Sequence, residues 1–206
     1  MDIGCGVGAN AVWLAERGWN VTALDFAKAA IERGKQVAGD RGVDVEFLPA
    51  DAASYKPNHE YDLITSFYIQ LPPKERAAML STAADALAPG GTLMFVSHDR
   101  SSPPPGWTDE DLETLTTPDE VASELSGLEI DEAYVLEHKH GGAHASPSPA
   151  PESDAGQSPM ARTTIVRAVR PSGSHPRPRS LGIASSRRRD TARRAREERT
   201  EPRSGR

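Results

Sequence analysis

The sequence has a single cysteine, Cys5, among 206 residues. An intramolecular disulfide is therefore excluded, and this fits a reducing compartment. Long apolar runs are also missing, since none approaches the roughly 20 residues that a membrane-spanning helix needs. The N-terminus lacks the basic stretch and apolar segment of a secretion signal. We therefore expect a chain without a membrane partner that works in the cytoplasm.

Hydrophobic residues are scarce, at 37% of the chain, and such a shortfall predicts that part of the chain does not fold. The formal net charge is −6, yet the segment 171–206 carries 11 of the 24 basic residues and only 4 of the 30 acidic ones. This segment is rich in arginine, proline and serine and has no apolar period. We predict one domain over residues 1–170 and a disordered basic tail over 171–206.

Within the predicted domain, apolar residues alternate between helical and strand spacing. Two predicted helices cover 9–17 and 27–39, and two more begin at 72 and at 117. The predicted strands cover 20–24, 43–48, 61–68, 92–97, 128–138 and 161–169. Loops are expected over 101–116 and 140–159. This alternation predicts an α/β fold, with a Rossmann-like, doubly wound, mostly parallel sheet and helices on both faces. Ligands of such sheets bind at the carboxyl ends of the strands.

A glycine-rich loop opens the chain: Asp2-Ile3-Gly4-Cys5-Gly6-Val7-Gly8. Glycines permit a tight turn and let a ligand approach the backbone, and the helix that follows presents free N–H groups. Alone the loop is weak evidence, because several kinds of nucleotide-binding fold use one. Its alternative is a plain strand-to-helix turn.

Two acids follow the next two predicted strands. Asp25 ends Val21-Thr22-Ala23-Leu24-Asp25, about 20 residues beyond the glycines, where a carboxylate suits the hydroxyls of a ribose. Its alternative role is to cap the next helix. Asp51, in Leu48-Pro49-Ala50-Asp51-Ala52, can accept from an adenine amino group or serve as an ordinary loop acid.

Taken in order, these motifs resemble those of the class I S-adenosylmethionine-dependent methyltransferases. They are Asp-x-Gly-Cys-Gly-x-Gly, Val-Thr-Ala-Leu-Asp, Pro-Ala-Asp, Tyr-Asp-Leu-Ile and Leu-Ala-Pro-Gly-Gly-Thr-Leu. The resemblance covers residues 2–97 closely and extends more loosely to 169. The run Leu-Ala-Glu-Arg-Gly-Trp resembles the small-molecule branch that includes tellurite-resistance and thiopurine-type methyltransferases.

The resemblance implies S-adenosyl-L-methionine as the cofactor and a set of residues that bind it. They are Asp2, Gly4, Gly6, Gly8, Asp25, Phe26, Asp51, Ala52, Ser66 and Phe67. The glycines let the methionine end pass over the first strand, and Asp2 holds its ammonium group directly or through water. Asp25 binds the ribose hydroxyls, and Phe26 lies against the adenine. Asp51 and the Ala52 N–H bind the adenine edge, and Ser66 and Phe67 border the sulfonium.

The same resemblance places Tyr68, Gln70 and His98 on the side of the methyl acceptor, which we expect to be a small molecule. A thiol or metalloid acceptor needs no base, whereas a hydroxyl, an amine or an acidic carbon needs one. His98 is then the first candidate for the base. Alternatively, His98 only ends its strand and takes no part in catalysis. His98 and Asp99 point to opposite faces of a strand, so they do not form a dyad.

One departure from the family pattern is that the first strand is largely missing. Only Met1, Asp2 and Ile3 precede Gly4, whereas a strand usually has about 5 residues. The chain is then a fragment, has a misplaced start, or is a degraded relative.

The sequence is also compared with three other kinds of function: a binding remnant, an oxidoreductase and a nucleic-acid methyltransferase. A cofactor-binding remnant without catalysis stays open. A dinucleotide-dependent oxidoreductase is disfavoured because Ala9 follows Gly8, which breaks the spacing Gly-x-Gly-x-x-Gly. A nucleic-acid methyltransferase is disfavoured by the acidic body and by the lack of an Asn/Asp-Pro-Pro-aromatic motif. No metal site is expected, since His138, His140 and His144 are more simply part of a solvated loop. The oligomeric state is left open.

Overall fold

The computed structural model describes residues 1–139 and 160–173, and these contain seven strands and five helices. In chain order they are β1 (Asp2–Ile3), α1 (Ala9–Ala15), β2 (Thr22–Asp25), α2 (Lys28–Arg41), β3 (Glu46–Pro49), β4 (Tyr61–Phe67), α3 (Pro73–Asp85), β5 (Leu87–His98), α4 (Asp109–Glu113), α5 (Pro118–Glu124), β6 (Glu129–Lys139) and β7 (Met160–Val169). The predicted loop over 140–159 and nearly all of the predicted tail lie outside the described residues. The domain boundary at 170 stays a prediction.

The strands form one sheet in the order β3-β2-β1-β4-β5-β7-β6. Strands β1 to β5 are parallel, and β7 runs antiparallel to both β5 and β6. β1 lies between β2 and β4, because Asp2 pairs with Ala23 on one side and Thr65 on the other. The chain leaves β1 toward β2 and later returns to its other side as β4. This switch in direction creates a crevice at the carboxyl end of β1.

Helices cover both faces of the sheet, as predicted. On one face, Val12 of α1 and Ile31 of α2 belong to a buried cluster with Phe47 of β3. On the other face, Leu80 of α3 and Val121 of α5 belong to a second cluster, with buried residues of β4 and β5. The predicted α/β, doubly wound, mostly parallel architecture is confirmed, because each face of the sheet is closed by its own apolar layer.

The start of β5 differs from its prediction. The strand begins at Leu87 rather than at 92, so Pro-Gly-Gly lies inside it instead of breaking the chain before it. A Cβ on Gly91 would lie 2.8 Å from the carbonyl oxygen of Tyr61, so glycine permits the close approach of β5 to β4. The register shifts between Tyr61 and Leu63 to accommodate it. The motif is therefore an irregularity in a paired strand.

Two other local predictions were wrong. Strand β3 begins at Glu46 rather than at 43, because the chain is still closing α2 there and the N–H of Val43 donates to the Ala38 carbonyl. The expected loop over 101–116 contains α4, whose capping box joins Thr108 to Asp111.

Over the described ranges, every helix is too short or too polar to cross a bilayer.

Candidate functional site

The carboxyl ends of the parallel strands bring the predicted site residues to one edge of the sheet. Asp25 ends β2, Asp51 follows β3, Tyr68 follows β4 and His98 ends β5. The glycine loop follows β1, at the centre of this row. Adjacent strands are about 4.8 Å apart, so the end of β3 lies about 14 Å from the end of β4. The residues predicted for the cofactor therefore lie mainly on the β1–β3 side of the edge, and those predicted for the acceptor on the β4–β5 side.

The three glycines of the loop all have left-handed backbone angles, with φ of 68° at Gly4, 53° at Gly6 and 77° at Gly8. Their surroundings differ. A Cβ on Gly8 would lie 2.7 Å from the ring of Phe47, and one on Gly4 would lie 2.9 Å from Ile69. A Cβ on Gly6 would meet no atom within 4 Å. Gly4 and Gly8 thus make room for protein side chains, whereas Gly6 borders open space that a ligand can enter.

Asp25 ties the glycine loop to the end of β2. Its Oδ2 accepts from the N–H of Gly6 at 2.8 Å, and its Oδ1 accepts from the N–H of Ala27 at 2.9 Å. Asp25 thus closes the turn before α2, whose N-cap Ala27 has no side-chain cap hydrogen bond, so the predicted capping role is not formed. Each carboxylate oxygen keeps a second lone pair that can accept from a hydroxyl. The neighbouring Phe26 is 81% exposed, so its ring is accessible to a flat ligand beside Asp25.

Asp2 supplies a buried, partly unsatisfied carboxylate next to the glycine loop. It is 1% exposed, and its Oδ1 accepts from the Thr65 hydroxyl at 2.7 Å. Its Oδ2 is buried and has no hydrogen-bond partner. Burial raises the pKa of Asp2 to about 6, and the charge of Asp25 adds to the rise. A buried acceptor normally has a partner, so this oxygen fits the role of holding an ammonium group or a bridging water.

Asp51 is exposed and caps the turn that follows β3. Its Oδ1 accepts from the Ala53 N–H at 3.1 Å and its Oδ2 from the Ser54 hydroxyl at 2.9 Å. The Ala52 side chain is buried in the core. These contacts are those of an ordinary loop acid, and the predicted roles of Asp51 and Ala52 toward an adenine stay predictions.

Ser66 and Phe67, at the end of β4, point to opposite faces of the sheet. Ser66 is 1% exposed and its hydroxyl lies 4.0 Å from Met79 Sδ. Its side chain therefore points into the core, which leaves its backbone to border a ligand. Phe67 is half-buried at the strand end. Their place beside the sulfonium stays a prediction.

The three residues predicted for the acceptor side lie together. The ring centroids of Tyr68 and His98 are 5.0 Å apart, and the Gln70 side chain donates to the Tyr68 carbonyl at 3.3 Å. Tyr68 has φ of 56°, and its N–H donates to the Val96 carbonyl at 2.7 Å. A left-handed tyrosine is uncommon, and such strain is concentrated at functional sites. Trp107 extends the cluster, with its ring 5.2 Å from that of His98.

Two members of this cluster were missed from the sequence. His138 was predicted at the end of a strand but was grouped with the solvated loop histidines and given no part in the site; it lies on β6, and its Nε2 is 3.0 Å from the Thr163 hydroxyl. The same hydroxyl is 3.2 Å from Tyr68 Oη. Only the pairing of β7 with β5 and β6 brings these segments together. His140 and His144 lie outside the described residues, and among those described no group of three or more acidic, histidine or cysteine side chains could hold a metal ion.

Two neighbouring groups take no part in nucleophilic or dyad chemistry. Asp99 accepts from the Thr164 hydroxyl at 2.8 Å and from Ser101, on the side away from His98. Burial raises the pKa of Cys5 to about 12, and the charges of Asp2 and Asp25 add to the rise. The thiolate that would act as a nucleophile is therefore not formed near neutral pH.

A cavity of about 490 Å³ lies at the opposite, amino edge of the sheet, and its lining includes Met1, Thr22 and Tyr61. Asp2 pairs with Thr65, so β4 extends past the start of β1 at this edge. The cavity contains none of the predicted site residues. Parallel sheets bind ligands at the other edge, so the candidate site remains the carboxyl edge.

Comparisons with known proteins match the N-terminal half of the chain to methyltransferases. A family model described as a methyltransferase domain matches residues 1–91. Trans-aconitate 2-methyltransferase of Streptomyces coelicolor is 38% identical over 97 residues, which are 45% of this chain and 32% of that protein. The 2-heptyl-1-hydroxyquinolin-4(1H)-one methyltransferase of Mycobacteroides abscessus is 31% identical over 112 residues, which are 51% of this chain and 48% of that protein. The aligned part spans less than half the length of these relatives.

The fold is shared with solved methyltransferase structures. N-methyltransferase NodS from Bradyrhizobium japonicum WM9, in complex with S-adenosyl-L-homocysteine, superposes with a TM-score of 0.59 at 20% identity and covers 82% of this chain and 76% of its own. The finer placement in a tellurite-resistance or thiopurine-type branch, and the missing upstream strand, stay predictions. Residues 1–91 therefore match a methyltransferase-domain family model, and the described residues share the fold of solved methyltransferases.

Proposed function

We propose that this chain binds S-adenosyl-L-methionine and transfers its methyl group to a small-molecule acceptor. The observation that carries the proposal is the unpartnered, buried Oδ2 of Asp2, in the same glycine motif as Gly6, whose added Cβ would meet no atom. It offers an acceptor for an ammonium group at the switch point of the sheet, where the fold places ligands. The names of the two relatives, which specify small molecules, support an acceptor of that kind.

The residues of the edge would share the work of holding the cofactor. Asp2 would hold the ammonium group, Asp25 would accept from two ribose hydroxyls, and Phe26 would cover one face of the adenine. When bound, the cofactor supplies a sulfonium-activated methyl group that an acceptor attacks in line. The protein's contribution is then mainly to position the two reactants and exclude water. Tyr68 and His98 would border the acceptor.

The alternative is a cofactor-binding remnant without catalysis. The two functions are separated by incubating the purified chain with methyl-labelled S-adenosylmethionine and a panel of small hydroxyl, amine and thiol compounds. We expect label to enter one class of acceptor and to depend on Asp25, with Asp25→Ala as the impaired variant and the distant surface change Asp40→Ala as the matched control. Binding of S-adenosylhomocysteine without transfer to any compound would favour the remnant. The cytoplasmic location also stays a prediction.

A further inference from the structure

Strand β6 forms an outer edge of the sheet, and it is both long and exposed. Among the described strands it is the last in the order of the sheet, with β7 as its neighbour. It has 11 residues, and its large apolar side chains are 39–44% exposed: Ile130, Tyr134, Val135 and Leu136. A long apolar edge is a template on which another strand can pair. This edge is therefore a candidate interaction surface.

The alternation of an antiparallel ladder fixes which backbone groups of β6 point outward. The N–H of Asp99 donates to the Arg162 carbonyl, so Arg162 faces β5 and the next residue, Thr163, faces β6. Thr163 pairs with Leu136, so the even-numbered residues of this stretch bond to β7. The residues whose N–H and C=O groups point away from the sheet are Ala133, Val135 and Glu137. They offer an incoming strand donors and acceptors at regular spacing.

The acids of β6 are balanced by arginines of the neighbouring strand β7. The Arg167 guanidinium lies 2.5 Å from the Asp131 carboxylate and 3.0 Å from that of Glu132, and the Arg162 guanidinium lies 2.6 Å from that of Glu137. Charged side chains on an edge strand normally oppose pairing with another strand. Because each of these carboxylates has a guanidinium beside it, two copies of β6 can approach one another.

We propose that β6 pairs with β6 of a second copy of this chain, antiparallel and about a two-fold axis at Val135. In this register Val135 lies opposite its own copy, Tyr134 lies opposite Leu136, and Asp131 lies opposite Lys139. Two apolar pairs thus flank the axis, and a pair of opposite charges lies at each end. The outward-facing backbone groups of one strand meet those of the other, which joins the two sheets into one.

The charges of β6 favour this register over a neighbouring one. An axis at Tyr134 would place Asp131 opposite Glu137, and like charges directly opposite destabilise a strand pair. The axis at Val135 instead places Asp131 opposite the basic Lys139, and no like charges face each other over 131–139. The strand is therefore complementary in charge to a second copy of itself.

The dimer leaves the two candidate cofactor sites separate. β6 runs in the same direction as β1 to β5, because β7 is antiparallel to both β5 and β6. Antiparallel pairing of the two β6 strands therefore turns the carboxyl edges of the two copies to opposite sides of the joined sheet. Each site is formed by one copy alone, so this inference does not depend on the proposed function.

The deciding measurement is the mass of the full chain in solution, by sedimentation equilibrium over a series of concentrations. We expect the mass of two chains in the parent at high concentration. Val135→Pro removes the N–H at the axis but leaves the pairing with β7, because this N–H points outward. We expect the mass of one chain in Val135→Pro at every concentration. A parent with the mass of one chain throughout, or a dimeric Val135→Pro, would overturn the proposal.

Charge reversal tests the register with little change to the backbone. Asp131→Lys places like charges opposite at both ends of the pair, so we expect the dissociation constant of the dimer to rise by about tenfold. Adding Lys139→Asp restores the opposite charges and should recover the parent value. Asp40→Lys, on the exposed surface of α2, is the matched control and should have no effect. Circular dichroism verifies that each variant is folded. An unchanged dissociation constant in Asp131→Lys, or no recovery in the double variant, would contradict the proposed pairing.

Discussion

The variant Asp25→Ala tests both the structural contacts of Asp25 and its proposed role in binding the ribose. Its carboxylate holds the backbone amides of Gly6 and Ala27 at 2.8 and 2.9 Å, and we propose that it also accepts from the ribose. A hydrogen bond to a charged acceptor contributes about 1.5–3 kcal/mol when it is fully formed. Both amides lie in a part-buried region and regain some hydration when the carboxylate is lost. We therefore expect Asp25→Ala to lower the free energy of unfolding by about 2–4 kcal/mol.

The effect on ligand binding has a similar size. Two lost hydrogen bonds to ribose hydroxyls correspond to about 2–4 kcal/mol, or a roughly 30- to 1,000-fold rise in Kd for S-adenosylhomocysteine. Asp25→Asn keeps one acceptor oxygen and should fall between the parent and Asp25→Ala in both properties. Urea denaturation gives the stability, and calorimetric titration of the folded variants gives Kd. A loss of stability with an unchanged Kd would refute the ribose assignment, and no loss of stability would refute the structural role.

The remaining predictions concern the glycine loop and its buried acid. Gly8→Ala adds a Cβ 2.7 Å from the Phe47 ring to the strain of a left-handed backbone and should destabilise the chain by more than about 2 kcal/mol. Gly6→Ala meets no atom and should cost only the strain of its left-handed backbone, about 1–2 kcal/mol, while it weakens S-adenosylhomocysteine binding. Equal melting temperatures for the two variants would count against this distinction. The pKa of Asp2 is raised from 3.8 to about 6, so the folded chain keeps a proton that the unfolded chain loses. The free energy of unfolding should therefore fall by up to about 3 kcal/mol as pH rises from about 4 to 6. Asp2→Asn should remove this slope in urea denaturation series, and persistence of the slope would show that another group causes it.

Local patterns in the sequence were enough to predict much of the fold and to bring the candidate cofactor residues to one edge of the sheet. The glycine loop and Asp25 follow short apolar strands, and a parallel sheet brings strand ends to one edge. The capping box at the start of α5, formed by Thr117 and Glu120, could also be predicted, because its residues lie within one turn. These patterns could not predict which glycine packs against a side chain and which borders open space. Only the close approach of Phe47 distinguishes Gly8 from Gly6.

The parts that could not be predicted depend on contacts between distant segments. Thr163 joins Tyr68, which is 95 residues away, to His138, which is 25 residues away, and no spacing rule connects them. The early start of β5 depends on how closely Gly91 approaches Tyr61, a property of the assembled sheet. Helix α4 has five residues and no buried side chain, so it has no apolar period to detect.

The central claim is that the carboxyl edge of this sheet binds S-adenosylmethionine, and calorimetric titration tests it most directly. The purified chain, shown to be folded by circular dichroism, is titrated with S-adenosylhomocysteine and separately with NADH. We predict micromolar binding of S-adenosylhomocysteine with no binding of NADH, and a weaker response in Asp25→Ala. Binding of NADH alone, or no binding of S-adenosylhomocysteine by the folded chain, would contradict the account.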